Sequence, residues 1–278
     1  MPREVEVSND FGEALEGADI VLGVMPSAHA RAIYTNMLPH LEPRMVFVSA
    51  TKGLEHGTLA RMTEVIEQVL SPKFSPRVAA LSGPTFAREV ARGDPTAVVI
   101  ASPVPELTQL IQEEFSGPTF RLYTNDDVVG VELGGAVKNV VAIAAGVCDG
   151  LGFGHNTIAA LITRGLAEMT RLACAMGGRR DTLAGLAGMG DLVLTCTGGL
   201  SRNRTVGVEL GKGRKLNDII GSMRMVAEGV GTTAATVELA RRHNVETPIT
   251  EQMHAVLNQG HSPRDAIREL MERRLKQE

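Results

Sequence analysis

The segment VELGGAVKNVVAIAAGVCDG, residues 131–150, is small and apolar except for Lys138 and the adjacent Asn139. On a helix, Gly134 and Gly135 lie one turn before Lys138 and on the same face. Glycines there cost about 1 kcal/mol each relative to alanine, but they expose backbone that another molecule can approach. We therefore expect Lys138 at the floor of a small cavity, where partial burial lowers its pKa and suits it for acid–base chemistry. The alternative is a lysine that extends to solvent, with glycines that serve only helix packing.

This segment also marks where the fold changes. Before it, short apolar runs bounded by turn residues predict strands at 18–25, 45–49, 78–81, 96–101 and 120–123, with helices between them. That alternation predicts an α/β domain with a largely parallel sheet over residues 1–126. Residues 127–278 show helical spacing to the end and predict an all-helical second domain, with helices at 127–148, 156–176, 181–188, 203–211, 215–221, 231–243, 248–258 and 263–275.

The composition excludes several classes of protein. The net charge of −4 and an aromatic content of 3%, with no tryptophan, argue against nucleic-acid binding. No uninterrupted apolar run reaches the roughly 18 residues of a membrane span, and no signal core follows Met1, so we expect a cytoplasmic protein. Cys148, Cys174 and Cys196 fit neither a disulfide framework nor a zinc pattern and are expected to be buried, reduced thiols. No cluster of metal ligands is evident.

Two polar segments follow predicted parallel strands, whose carboxyl ends are where ligands bind in open α/β sheets. Lys52 and Gly53 follow the second strand, and residues 82–87, SGPTFA, follow the third. In the latter, Gly83 frees a backbone N–H and Pro84 can open a helix whose first amides face an anion. The alternatives are an ordinary surface lysine and an ordinary turn.

Further candidates lie in the helical half. Asp191 follows a glycine pair and either pairs with a lysine of the pocket or caps the next helix. Ser201, Arg202 and Asn203, at a helix start, suit a phosphate or a polyol, although a polar loop is the alternative. Residues 229–234, GVGTTA, match the dinucleotide-binding pattern but lack the required βαβ context, so we interpret them as a helix N-terminus.

Taken together, these segments resemble the bacterial-type NAD(P)-dependent glycerol-3-phosphate dehydrogenases. The matching stretches run in family order: ADIVLGVMPS, SATKGLE, LSGPTFAREV, ELGGAVKNVVAIAAGVCDGLGFGHNTIAALITRG, LAGMGDLVLTCTGGLSRNRTVG and VAEGVGTTAA. The resemblance implies a Rossmann-like domain followed by a helical domain like that of 6-phosphogluconate dehydrogenase. It also implies reversible reduction of dihydroxyacetone phosphate to sn-glycerol 3-phosphate with NADH or NADPH, without a metal, as a source of glycerophospholipids.

The resemblance further implies roles for individual residues. Lys138 would be the proton donor and acceptor at the C2 oxygen of the substrate. The remaining substrate contacts would be Lys52, Gly83, Thr85, Asp191, Ser201, Arg202 and Asn203. The cofactor contacts would be Lys52, Ala87, Arg202, Val226 and Glu228. A homodimer is one expectation for the assembly, and the sequence leaves the oligomeric state open.

The chain departs from the family at its start. Members begin with a strand, a G-x-G-x-x-G turn, a helix and a second strand, and we expect that about 50–60 residues of this kind are missing, by the usual size of a βαβ unit. Either Met1 is an internal methionine of a longer enzyme, or the short chain is genuine and poorly active unless a partner completes the sheet. The residues that distinguish NADH from NADPH would lie in that unit.

Two other functions stay open at this point. One is a truncated, inactive paralogue that binds glycerol phosphate or dimerises without catalysis. The other is a dehydrogenase acting on a hydroxy acid, against which the Ser201–Asn203 run argues because it suits a phosphorylated substrate.

Overall fold

The computed structural model describes residues 5–223 and 225–274. Its five strands form one sheet in chain order: β1 (Ile20–Gly23), β2 (Val46–Ser49), β3 (Arg77–Ser82), β4 (Thr96–Ala101) and β5 (Phe120–Asn125). The helices are α1 (Phe11–Leu15), α2 (Ala30–Met37), α3 (Met62–Leu70), α4 (Ala87–Arg92), α5 (Pro105–Phe115), α6 (Val128–Gly150), α7 (His155–Ala175), α8 (Arg180–Ala184), α9 (Asp191–Thr197), α10 (Arg202–Gly211), α11 (Leu216–Ser222), α12 (Glu228–Arg242), α13 (Pro248–Asn258) and α14 (Pro263–Met271).

The sheet is largely parallel, as predicted, with one exception. The pairs β1–β2, β2–β3 and β4–β5 are parallel, whereas β3 and β4 are antiparallel. The segment between β3 and β4 contains only the six-residue helix α4. Such a helix is about 9 Å long, too short to return the chain along a strand of about 20 Å. The chain therefore enters β4 from the end at which it left β3.

Several element boundaries differ from the predictions. The helix expected from Pro84 begins at Ala87, and the helix expected between the second and third strands begins only at Met62. Leu59 has a φ of 64°, a left-handed conformation that no α-helix contains. The predicted helix at 181–188 is divided into α8 and a π-helical turn, Leu186–Gly190, and α14 ends at Met271. The last residue of that predicted helix, at position 275, lies outside the described residues.

Helix α6 forms the centre of the helical half. Every residue from Gly130 to Cys148 is buried, which explains why its sequence lacks a polar stripe. By length and composition this helix could span a membrane, with a mean hydropathy of 1.6, contrary to the expectation that no segment would qualify. However, 83% of its apolar window is buried inside the protein, as in the core helix of a soluble domain.

Glycines allow α10 to lie directly against α6. A Cβ at Gly207 would lie 2.0 Å from the Ile143 carbonyl oxygen, and one at Gly146 would lie 2.1 Å from the Arg204 carbonyl oxygen. The two backbones are thus in contact, which requires residues without side chains.

The two halves also meet through a buried ion pair. Glu132 of α6 accepts hydrogen bonds from Arg61 at 2.7 Å and from the backbone N–H of Thr63 at 2.9 Å. Because both oxygens of the Glu132 carboxylate accept hydrogen bonds, the charge can be buried. The contact fixes α6 against the start of α3. The division of the chain after residue 126 falls between β5 and α6, and it stays a prediction.

The cysteines follow the expectation in part. Cys148 and Cys196 are buried, and burial raises the pKa of Cys196 to about 12. Cys174, however, is exposed, so the prediction of three buried thiols was wrong. Cys174 lies near the end of α7, on the face of that helix that is exposed to solvent.

Candidate active site

Lys138 projects from α6 into the boundary between the two halves of the protein. Its side chain is only 7% exposed, and its Nζ donates hydrogen bonds to Asp191 Oδ1 at 2.5 Å and to Thr195 Oγ1 at 2.8 Å. The alternative in which this lysine extends to solvent is therefore wrong. Asp191, which opens α9, pairs with the lysine rather than serving as a simple helix cap.

Lys52 reaches the same aspartate from the α/β half. It follows β2, and its Nζ lies 2.7 Å from Asp191 Oδ2, 2.7 Å from the Gly83 carbonyl oxygen and 3.2 Å from Thr85 Oγ1. The loops after β2 and β3 thus meet Lys138 through one carboxylate. The neighbouring ends of the two strands were expected to form a ligand site, and here they do converge.

The electrostatics of this cluster perturb Lys138. Burial and, to a smaller extent, the nearby cation of Lys52 lower the pKa of Lys138 to about 8, although Asp191 opposes this change. These three ionised groups carry a net charge of +1. A buried excess of positive charge favours an anionic ligand and a lysine that can exchange its proton near neutral pH.

The glycines before Lys138 have a different role from the one predicted. A Cβ at Gly134 would lie 2.5 Å from the Ala187 carbonyl oxygen, and one at Gly135 would lie 2.7 Å from Ser82 Oγ. The backbone at these two glycines is therefore covered by other parts of the protein and is not open to an approaching molecule. The glycines allow the π-helical turn and the end of β3 to pack against α6 beside Lys138.

A chain of amides connects the two halves next to the lysines. Asn139 Nδ2 donates to the Lys52 carbonyl oxygen at 3.3 Å, and Asn203 Nδ2 donates to Asn139 Oδ1 at 2.9 Å. Asn203 Oδ1 in turn accepts from the Gly229 N–H at 2.9 Å. Asn203 therefore joins the predicted phosphate-binding run to the GVGTTA segment, which does form a helix N-terminus, that of α12.

The other members of the 201–203 run are divided in their roles. Ser201 is buried and caps α10, where its hydroxyl accepts from the Arg204 N–H at 3.2 Å. Arg202 is exposed and donates to the Val226 carbonyl oxygen at 2.7 Å. Among residues 201–203, only the side chain of Arg202 is exposed to solvent. Its guanidinium lies beside Val226.

Gly83 and Ala87 occupy the loop after β3. Gly83 has a φ of 142°, and a Cβ there would lie 3.0 Å from Val98 Cα, so only glycine fits. Ala87 is exposed at the first residue of α4. Its neighbour Phe86 packs against Gly198, which brings this loop against the helical half.

Glu228 is held by Ser27, which was not a site candidate. The Ser27 hydroxyl donates to Glu228 Oε2 at 2.6 Å, and the Ser27 N–H donates to Glu228 Oε1 at 3.2 Å. Gly53 lies against both side chains. The segment Ser27–His29 forms a 3₁₀ turn, and α2 begins after it without a side-chain cap.

Two cavities among the described residues are lined by neither lysine of the cluster nor by Asp191. One of about 310 Å³ borders Arg61, Asp126, Asp127 and Arg179. The other, of about 330 Å³, is apolar and includes Val226 and Val230 in its lining. We place the candidate active site at the lysine–aspartate cluster because that is where charges are buried and the pKa of a lysine is shifted. No group of three or more metal-ligating side chains occurs within residues 5–223 and 225–274.

Sequence reasoning missed three residues of the site. Thr195 lies four residues after Asp191 and so on the same helix face, a signal that was available. Asn139 was noted beside Lys138 but was not assigned a role. Ser27 gave no usable signal, because its partner Glu228 is 201 positions away in the chain.

The fold and the site define an α/β enzyme in which parallel-strand ends face a buried lysine of a helical second half. Two family models match the sequence. The model for the N-terminus of NAD-dependent glycerol-3-phosphate dehydrogenase matches residues 1–108, and the model for its C-terminus matches residues 127–268. The chain therefore belongs to the NAD-dependent glycerol-3-phosphate dehydrogenase family.

Individual relatives agree with this assignment. The glycerol-3-phosphate dehydrogenase [NAD(P)+] of Koribacter versatilis is 68% identical over 274 residues, which cover 98% of this chain and 81% of the relative. That of Citrifermentans bemidjiense is 57% identical over 271 residues, again covering 98% and 81%. The crystal structure of the Coxiella burnetii glycerol-3-phosphate dehydrogenase is 41% identical, with a TM-score of 0.93 over 98% of this chain and 82% of the other.

More distant structures share only the fold. A D-mandelate dehydrogenase with bound NADH is 10% identical, with a TM-score of 0.54 over 87% of this chain and 78% of the other. The Rossmann-like half followed by a helical half, predicted from the sequence, is confirmed by the Coxiella burnetii structure and both family models.

Proposed function

We propose that this protein reversibly reduces dihydroxyacetone phosphate to sn-glycerol 3-phosphate with NADH or NADPH. The observation that carries the proposal is the single carboxylate of Asp191 shared by Lys138 and Lys52. The curated relatives, at up to 68% identity over nearly the whole chain, support it. The inactive paralogue and the hydroxy-acid dehydrogenase are not favoured, because no observation on the site supports either.

Lys138 acts on the C2 oxygen of the substrate. An ammonium group has three N–H donors, and Asp191 and Thr195 accept two of them. The third is directed to the carbonyl oxygen and stabilises the negative charge that develops there. As that oxygen becomes an alkoxide, the Lys138 ammonium transfers a proton to it and is left as the neutral amine. In the reverse direction the neutral amine removes the hydroxyl proton.

Lys52 contributes mainly positive charge. Its three donors are directed at Asp191, Gly83 and Thr85, so it orients the loop after β3 while it favours the anionic substrate. We propose Ser201, Arg202 and Asn203 as the phosphate end of the site. Arg202 is its principal donor, because a guanidinium matches two phosphate oxygens.

A bound nicotinamide cofactor would supply the hydride. The residues of this chain fit the outer part of such a cofactor. The exposed Arg202 suits a phosphate, the apolar cavity beside Val226 suits a flat ring, and Glu228 suits hydroxyl or amide donors. We propose that Lys52, Ala87, Arg202, Val226 and Glu228 hold it. Ser82 Oγ is buried beside Lys52 with no hydrogen-bond partner among the described residues, which leaves a donor available at the same cleft.

Several finer points are proposals that rest on the resemblance. We propose a cytoplasmic enzyme that feeds glycerophospholipid synthesis, and a homodimer that analytical ultracentrifugation can test.

The decisive experiment measures dihydroxyacetone phosphate-dependent oxidation of NADH and of NADPH by the protein. A steady rate with this substrate, and none with a hydroxy acid or its keto form, supports the proposal. Tight binding of glycerol phosphate without turnover would instead support the inactive paralogue.

A further inference from the structure

Ser27 and Glu228 form a contact that crosses the boundary between the two halves. Ser27 lies in the turn after β1, and Glu228 opens α12. Both donors of Ser27 are used: the hydroxyl binds one carboxylate oxygen at 2.6 Å and the N–H binds the other at 3.2 Å. Ser27 is 7% exposed, so water competes weakly for this contact.

The surroundings of the contact leave little freedom. A Cβ at Gly53 would lie 2.5 Å from Ser27 Oγ and 3.1 Å from Glu228 Oε2. The residue after Glu228, Gly229, is fixed by Asn203, which is fixed by Asn139, which binds the Lys52 carbonyl oxygen. The start of α12 is therefore tied to the loop after β1 by one route and to the loop after β2 by another.

A glutamate in the first turn of a helix ordinarily samples several rotamers. The two hydrogen bonds from Ser27 select one rotamer of Glu228 before any ligand binds. Ligand binding therefore does not lose the entropy of fixing this side chain. A carboxylate offers about four lone-pair sites, and Ser27 occupies one on each oxygen. The remaining lone pairs can accept hydroxyl or amide donors while the contact persists.

We infer that Ser27 is a positioning residue for the cofactor, which acts by fixing the Glu228 carboxylate across the cleft. This rests on the proposed function, in which Glu228 contacts NAD(P)H. Ser27 itself touches no reacting atom, so its loss should weaken cofactor binding rather than slow the proton transfer at Lys138.

The test compares three variants, Ser27→Ala, Glu228→Ala and the combination of these two. A separate variant, Ser262→Ala, is the matched control. Ser262 also begins a helix, where its hydroxyl caps α14. For Ser27→Ala we expect the dissociation constant of NADH, measured by fluorescence without substrate, to rise about tenfold, the scale of a lost hydrogen bond to a charged group. The KM for NADH should rise in parallel, with kcat and the KM for dihydroxyacetone phosphate within about twofold. Ser27→Ala should add nothing in the Glu228→Ala background.

A second measurement is independent of cofactor and activity. Hydrogen exchange of the Ser27 amide should become about tenfold faster in Glu228→Ala and stay unchanged in Ser262→Ala. Three results would each overturn the inference. They are unchanged exchange of the Ser27 amide in Glu228→Ala, additive effects of Ser27→Ala and Glu228→Ala on NADH binding, and a wild-type protein that binds no NADH. Faster exchange and weaker NADH binding without turnover of dihydroxyacetone phosphate would retain it and refute the proposed substrate.

Discussion

Lys138 and Asp191, 53 positions apart in the chain, form a buried ion pair with 2.5 Å between Nζ and Oδ1. The second oxygen of the same carboxylate binds Lys52 of the other half at 2.7 Å. One aspartate therefore sets the distance between two cations that repel each other. It allows both to stay charged in a site that excludes most water, and it leaves the cluster with the positive charge that a phosphorylated ketone requires.

Replacement of Lys138 by methionine, Lys138→Met, should lower kcat for dihydroxyacetone phosphate reduction by about 10²–10⁴-fold, because the proton donor is lost while the volume is kept. Steady-state NADH oxidation measures this effect. The control is Lys212→Met, which removes an exposed lysine of the helical half that pairs with Glu209 on the protein surface. A Lys138→Met enzyme with near-normal kcat would show that another group donates the proton.

The pH profile should reflect the ionisation of Lys138. Its pKa is lowered to about 8, so the protonated form that reduction requires is lost as the pH rises through that value. We expect kcat/KM for reduction to fall above about pH 8 and the rate of glycerol 3-phosphate oxidation to rise over the same range.

Asp191→Asn offers a check on the cause of that shift. Asp191 raises the pKa of Lys138 against the effect of burial, so removal of its charge should move the fall in kcat/KM to lower pH. A profile displaced to higher pH in this variant would contradict the assignment of the titrating group to Lys138.

Gly207 should tolerate no side chain. In Gly207→Ala the new Cβ would lie 2.0 Å from the Ile143 carbonyl oxygen, so α10 must move away from α6. We expect a loss of about 1–3 kcal/mol in the free energy of unfolding, typical of overpacking, measured by urea denaturation. The matched control is Gly221→Ala in α11, where a Cβ meets nothing within 4 Å. That change should be neutral or stabilise by up to about 1 kcal/mol.

Glu168 should make stability depend on pH. Burial raises the pKa of Glu168 to about 7 from 4.5, although the N–H groups of Ile249 and Thr250 oppose this shift. Between these values the folded state binds more protons than the unfolded state, so the stabilisation is complete below about pH 4.5 and is lost as pH rises through about 7.

Urea denaturation at pH 5 and pH 8 can test this linkage. The difference in unfolding free energy between wild type and Glu168→Gln should change by at most about 3 kcal/mol between the two pH values, to the disadvantage of wild type at pH 8. Glu251→Gln, an exposed position on α13, should show no such change. Parallel pH dependences for wild type and Glu168→Gln would assign the effect to other groups.

The main features of the fold could be predicted from local patterns. Short, mainly apolar runs identified all five strands, and the run is continuous in β2, which is buried at every position. The predictions failed where the path of the backbone between two elements decides the geometry. The start of α3 at Met62 depends on the left-handed Leu59, and the antiparallel β4 depends on the shortness of α4.

For the site, the sequence by itself determined which residue types carry the chemistry: a lysine within an apolar helix, a lysine after a strand, an aspartate after glycines and a Ser-Arg-Asn run. Only the tertiary structure decided which of them meet. It showed that Asp191 joins both lysines, that Gly134 and Gly135 pack against the protein itself, and that Ser27 binds Glu228. The physical reason is that composition and periodicity report the local environment of a side chain, whereas a hydrogen bond between residues 201 positions apart depends on how separate elements pack.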